Sequence, residues 1–244
     1  MKRELLVGVS LIGAVYSLSA CVTPITYSAE PMEAWIVDAD TGKPIEGAVV
    51  VADWVLEGGI HVDRVGDLKI LETTTDKAGR FLFPSWGPIR HWGLSRLTYM
   101  DPELTIFKSG YEYRRLANPT TKEAIEGKPY PVRRSQWSGK TIELKRFVGT
   151  VKEYASRFHD LNSGLEQIVS KNPEDCNWKK LPIAIIATES ERKNILALAL
   201  QQNELNPHTV GSIYQEIVRN DDWYTKKGRY GCGSPKEFFT RVVR

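Results

Sequence analysis

Histidine, cysteine and methionine are scarce in this 244-residue chain, with four, three and three copies. These are the side chains from which many metal and nucleophile sites are assembled. His61 is followed by VDR, His91 by WGL, His159 by DLN and His208 by TVG, so the HExxH helix of zinc hydrolases is excluded. Two cysteines without nearby histidines make a poor zinc site, and no metal or cofactor is expected. Charge of one sign is also lacking. With 33 Lys and Arg against 30 Asp and Glu, the net charge is +3, which gives no electrostatic case for nucleic acid as a partner. With 41% apolar and 10% aromatic residues the chain can bury a core, so wholesale disorder is excluded.

The amino terminus reads as an address. Lys2 and Arg3 precede a largely apolar run from Leu5 to Tyr16, and Leu18, Ser19, Ala20 and Cys21 follow. A basic, then hydrophobic, then small-residue order is that of an export signal. As a transmembrane anchor the run is short, since about 20 residues are needed to span a bilayer. The four residues ending in Cys21 resemble the bacterial lipobox. That resemblance implies diacylglycerol on the Cys21 sulfur, cleavage just before it and acylation of the new amino terminus. An ordinary leader with an incidental cysteine is the alternative. Residues 1–20 are thus expected to be a lipoprotein signal peptide and residues 21–31 a tether, reaching at most about 35 Å from the membrane. Val22, where inner-membrane lipoproteins carry Asp, resembles the outer-membrane pattern of Gram-negative cells. The expected location is the cell envelope, lipid-anchored, at the outer membrane facing the periplasm.

In an exported chain with Cys21 lipidated, Cys176 and Cys232 remain as an even pair and are expected to form a disulfide. Closing a loop of about 57 residues contributes on the order of 4 kcal/mol in the chain-entropy picture. Charge is unevenly spread: residues 22–79 carry eleven acids and four bases, residues 80–146 thirteen bases and six acids. Interleaving of acidic and basic strands in one domain accounts for this better than a basic binding face does.

From Met32 to Phe147 the residue pattern is β. MEAWIVD is a strand-like run ending in a turn at Asp38–Pro44, and IEGAVVVADW is rich in β-branched residues. Residues 56–66, with three glycines, read as an irregular excursion. LKILETTT is a third strand, and Asp76–Gly79 a tight turn with Gly79 in the left-handed position. Phe81 and Phe83 fall on one face of the next strand. LTIFKSGY follows, and TIELKRF reads as an edge or closing strand with Ile142 and Leu144 inward. The run VDxxTGKPIxGAxV at Val37–Val50, TTDxxGRF at Thr74–Phe81 and the GY at Gly110–Tyr111 resemble the carboxypeptidase regulatory-like domain. The resemblance covers residues 32–147 and implies a transthyretin-like, seven-stranded Greek-key β-sandwich used as an accessory module, with long insertions at 56–66 and 86–103. It carries no peptidase activity, because the His–Glu zinc pattern of metallocarboxypeptidases is missing.

Residues 148–244 read as a small helical subdomain, making the chain α+β overall. Val151, Tyr154, Phe158, Leu161, Leu165 and Ile168 recur at helical spacing. Pro182–Asn203 is a second helix or a pair, Thr188–Glu191 being where an interruption would fall. Pro207–Arg219 is a third, and a short last helix starts with Ser234 as N-cap and Pro235 in the first turn.

No catalytic set emerges, and an enzyme is not expected. Ser190 and Lys193 have the SxxK spacing of penicillin-recognising enzymes, but the companion elements are missing and a charged helix face explains them. Asp38 and Asp40 open like a calcium loop, yet Val49 stands where a bidentate Glu belongs, so a turn is expected. Asp160 and Glu166 read as a solvated helix face. Aromatic rings at 84–113, with Arg90 and Arg96 interleaved, could stack on sugars or form a partner hot spot. The preferred reading is that they cap the sandwich or receive the helices. If a ligand binds there, Trp86, Arg90 and Trp92 are expected to hold it. The expected function is a membrane-anchored, non-catalytic binding or assembly module for an envelope protein, with glycan or peptidoglycan binding by the aromatic insertion as the alternative.

Overall fold

A computed structural model describes residues 23–97, 100–118, 132–170, 173–202, 210–221 and 231–242. The expected signal peptide, the expected lipidation site Cys21 and Tyr99 of the aromatic insertion lie outside the described residues. The architecture is mixed α+β. Strands β1 (Ile25–Ala29), β2 (Met32–Asp38), β3 (Val49–Gly58), β4 (Asp63–Thr74), β5 (Arg80–Phe83), β6 (Trp86–His91), β7 (Arg96–Leu97), β8 (Glu103–Phe107), β9 (Arg114–Leu116), β10 (Val132–Arg133) and β11 (Thr141–Leu144) come first. Helices α1 (Val151–Ser170), α2 (Pro182–Gln202), α3 (Ile213–Arg219) and α4 (Pro235–Val242) follow.

The strands form one sheet ordered β4-β3-β8-β9, with β7 paired to the end of β3, and two smaller sheets ordered β11-β2-β5 and β10-β1-β6. Strand β3 explains the layering. Val50, Ala52, Trp54 and Leu56 point into one core with Ala34, Ile36, Phe81, Phe83, Ile142 and Leu144 from the β11-β2-β5 sheet. Val49 and Val51 point the other way, into a second core built with α1, α2 and Trp178. The run Val49–Ala52 is continuously apolar because this strand is covered on both faces, and Asp53 interrupts it as a buried acid. Phe81 and Phe83 share the inward face, as their alternation predicts, with rings 5.7 Å apart. Burying each is worth roughly 1.5–3 kcal/mol. β11 pairs in parallel with β2 at the sheet edge, with Ile142 and Leu144 inward. At Gly79, φ is 71° and a Cβ would lie 2.4 Å from the Ile36 carbonyl, so only glycine fits that turn.

Two expectations need correction. The tether proposed for 21–31 is, from Ile25 to Ala29, strand β1, paired with β6 and β10. Tyr27 and Ala29 are buried by it, a two-residue alternation too short to stand out between Pro24 and Pro31. The excursion at 56–66 is the far end of the β3–β4 hairpin. Register shifts at Trp54/Val55 and Leu56/Glu57 break the strand alternation there, and the turn passes through Gly59 and Val62 with positive φ. Of the two readings for Pro182–Asn203 the single helix holds, and α2 runs unbroken through Thr188–Glu191. Thr188 donates back to Ala184 and Ile185, while Glu189 and Glu191 are buried against Ser212 and Tyr154.

The helical layer packs on the sheet. Cys176 and Cys232 form the expected disulfide, with Cα atoms 5.6 Å apart across a separation of 56 residues. Ser234 caps α4 by accepting from the Glu237 amide at 3.2 Å. Glu72 on β4 accepts from the amides of Ile183 and Ala184 at 2.8 and 2.9 Å, so a carboxylate from the sheet caps the start of α2. Among the described residues no helix is long and apolar enough to cross a membrane.

Candidate functional site

The aromatic insertion divides between core and surface. Trp86 is 8% exposed and stands edge-on to Trp54, ring centroids 5.1 Å apart, so it is a core residue and not a ligand platform. Arg90 and Trp92 lie on the surface, Trp92 being 64% exposed. The three residues proposed as a set are therefore not brought together. Phe107 and Tyr111 are buried as well, in agreement with rings that cap the sheets and receive the helices.

Residues far apart in sequence meet at the end of the β3–β4 hairpin. Leu97 and Arg96 pair with Leu56 and Glu57, which lays the 92–95 loop against the 58–62 turn. Ile60, Val62 and Leu94 are exposed there and line a groove of about 600 Å³, and Trp92 is exposed two residues before Leu94. Arg96 fixes the loop by donating to the carbonyls of Gly93 and Ser95 at 2.8 and 2.9 Å. His91 shares a 2.8 Å hydrogen bond with the Ser95 hydroxyl. Burial and the nearby Arg96 charge hold the His91 ring below its usual pKa.

A cleft of opposite character opens where β9 and β11, edges of different sheets, approach each other. The Glu112 amide donates to the Lys145 carbonyl at 2.9 Å, and Arg114 Nη1 to the Glu143 carbonyl at 3.0 Å. The cleft measures about 430 Å³ and is lined by Arg114, Arg115 and Lys145, with Glu112 and Glu143 as counter-charges and Tyr113 as an aromatic wall. A contiguous hollow adds Arg157 from α1. Arg115 is paired with Glu103. With Arg115 neutralised by Glu103, Arg114, Lys145 and Arg157 stand against Glu112 and Glu143, a small positive excess that suits an anionic group. The charge pattern alone did not locate this cleft; the signal available was the pairing of the Arg114–Arg115 and Lys145–Arg146 doublets on two strand edges.

The acidic and basic segments otherwise neutralise one another across strands, as the uneven charge distribution suggested. Arg80 pairs with Glu33, Arg134 with Glu30 and Arg146 with Asp38. The Asp38 loop is the expected turn. Its Oδ1 accepts from the Asp40 and Thr41 amides and the Thr41 hydroxyl, while Oδ2 accepts from the Tyr111 hydroxyl at 2.8 Å. The Tyr111 bond above all, aided by Thr41 and Arg146, pushes the Asp38 pKa down to about 2. The buried carboxylates have structural partners. Arg64 bridges Asp53 and Asp67, and Asp67 accepts from Asn177 at 2.9 Å, tying the hairpin to the helical layer. Burial raises the Asp53 pKa well above the carboxylate range. Ser190 and Lys193 are exposed on the outer side of α2, as is Asp160 on α1, whereas Glu166 is half-buried.

No protein-family model matches the chain, and no curated protein sequence does. Among solved structures, a streptococcal ancillary pilin is similar over 52% of this chain and 31% of its own, at 14% identity and a TM-score of 0.25. The major pilin SpaD of Corynebacterium diphtheriae is similar over 50% of this chain and 33% of its own, at 15% identity and a TM-score of 0.26. A 3-chlorocatechol 1,2-dioxygenase from Rhodococcus opacus is similar over 51% of this chain and 61% of its own, at 16% identity and the same TM-score of 0.26. The chain thus spans about a third of either pilin and three fifths of the dioxygenase. Likenesses at these scores carry no weight for activity.

Proposed function

We propose that this chain is a lipid-anchored, non-catalytic binding module of the bacterial envelope, held at the outer membrane through Cys21 and facing the periplasm. Its β layers are of the transthyretin-like Greek-key type, and the cationic cleft between β9 and β11 receives an acidic partner protein. One observation carries the reading. β1 starts beside His91 at the hairpin end of β3, only four residues after Cys21, whereas Arg114 pairs with Ile106, opposite Val50 at the other end. The ten residues of β3 separate the two ends by about 30 Å. An anchor at one end thus leaves the cleft free to face away from the membrane.

The structural partners of Asp53, Asp67, Glu72, Glu189 and Glu191 support a non-catalytic role, since those carboxylates are committed to holding sheets and helices together. Crosslinking and pull-down of the full chain from its own membranes test the proposal, beside a variant carrying Arg114→Glu and Lys145→Glu. A reproducible protein partner that is lost with the charge reversal is expected. Capture of the same partner by both forms refutes the cleft, and mass spectrometry showing an unacylated amino terminus refutes the anchor.

A further inference from the structure

We infer that the apolar end of the β3–β4 hairpin and the 92–95 loop rest in the headgroup layer of the bilayer that holds the acyl chains. The inference rests on the proposed acylation of Cys21. Ile60 is 97% exposed, Leu94 83%, and Val62 and Trp92 64% each. Side chains of this size gathered at one end and facing water mark an interaction surface.

The position of the chain start selects the partner. Ile25 pairs with His91, the neighbour of Trp92, and four residues from Cys21 to Ile25 span at most about 14 Å. Acyl chains on Cys21 therefore bring the membrane surface to the same end of the molecule as the exposed side chains. The residue types fit that setting. An indole such as Trp92 favours the membrane–water interface, and the exposed Arg90 and Arg96 suit anionic headgroups. The hydrogen bonds of Arg96 and His91 hold the loop in shape, so Leu94 is presented without an ordering cost. Because the acyl chains supply the attachment, the contribution of this surface is orientation: it sets β3 upright on the membrane, with the cationic cleft at the far end.

The test uses the full chain, made with its own leader in a Gram-negative host and reconstituted in phosphatidylethanolamine–phosphatidylglycerol vesicles. With Cys21 acylated and Cys176 bonded to Cys232, an introduced cysteine is the reactive thiol. An environment-sensitive fluorophore is placed at Leu94→Cys or, at the opposite end, at Lys77→Cys; Val62→Cys repeats the reading from the other loop. Labels at 94 and 62 are expected to be quenched several-fold less by aqueous iodide than the label at 77, and to be quenched by nitroxide-bearing lipids. Equal iodide access at 94 and 77 overturns the inference. So does a shielded label at 94 that nitroxide lipids leave untouched, which signals a second protein copy. Mass spectrometry and vesicle flotation separate this from failure of the anchor. An acylated, floating protein with an exposed label at 94 overturns only the inference. An unacylated protein, recognised by its mass, refutes the anchor and with it the inference that rests on it.

Discussion

Replacing Arg64 with Met removes a guanidinium and keeps most of the apolar stem. Arg64 Nη2 lies 2.6 Å from Asp53 Oδ2 and also contacts Asp67; the two carboxylate side chains are 4% and 1% exposed. In Arg64→Met they face each other in a low-dielectric setting with the cation gone. Breaking a buried ion pair by deleting one partner costs about 3–5 kcal/mol, and the loss is expected in that range at pH 8. The cost must depend on pH, because a proton can replace the arginine. Burial already raises the Asp53 pKa, the neighbouring Asp67 charge raises it further, and Arg64 is what opposes both. Without Arg64 the native state binds a proton that the unfolded state, with an ordinary carboxylate, does not hold near neutrality. Stability of the variant therefore falls as pH rises through the raised native pKa, and the deficit shrinks toward pH 5. Urea titrations followed by far-ultraviolet circular dichroism at pH 8 and pH 5 read both quantities. Asp53→Asn, which leaves Arg64 paired with Asp67, is expected to stay within about 1 kcal/mol of the parent. A loss below about 1 kcal/mol for Arg64→Met at pH 8, or one that is the same at both pH values, refutes the account of this network.

The Asp38 turn supplies an acid-side prediction. With its folded pKa near 2 against an ordinary 3.8, Asp38 contributes stability that is fully present above pH 3.8 and is lost as pH falls toward 2. Tyr111→Phe removes the largest cause of that shift, so the acid-unfolding midpoint is expected to move up; an unchanged midpoint in a pH titration contradicts it. The two tryptophans of the insertion should behave differently in thermal melts, with Trp86→Ala losing about 3–5 kcal/mol from the core and exposed Trp92→Ala staying within about 0.5 kcal/mol. Equal effects would mean that Trp86 is not packed as described.

The features legible from residues alone are those whose cause is local. The Asp76–Gly79 turn, the inward pair Phe81 and Phe83, the edge strand at Ile142 and Leu144 and the Ser234 cap each follow from neighbours within a few positions. The pairing of Cys176 with Cys232 follows from counting two cysteines once Cys21 is set aside, on the expectation of an exported chain. What sequence reasoning missed has its cause at a distance. Strand β1 exists because β6, some sixty residues on, offers it an edge. The residues alone leave α2 open as one helix or a pair, and Tyr154 and Ser212 decide for one by satisfying Glu191 and Glu189. The buried Asp53 announced itself only as a lone acid in an apolar strand, and its partner Arg64 lay in a segment read as irregular. The same reasoning applies to the exposed hairpin end. Residues 56–66 and 86–103 read as two separate insertions with no shared purpose, and the pairing of Glu57 with Arg96 and Leu56 with Leu97 makes them one surface. A pattern of exposed Ile60, Trp92 and Leu94 acquires meaning only once the register brings them beside Ile25. The chain start then links that surface to the lipid anchor proposed at Cys21.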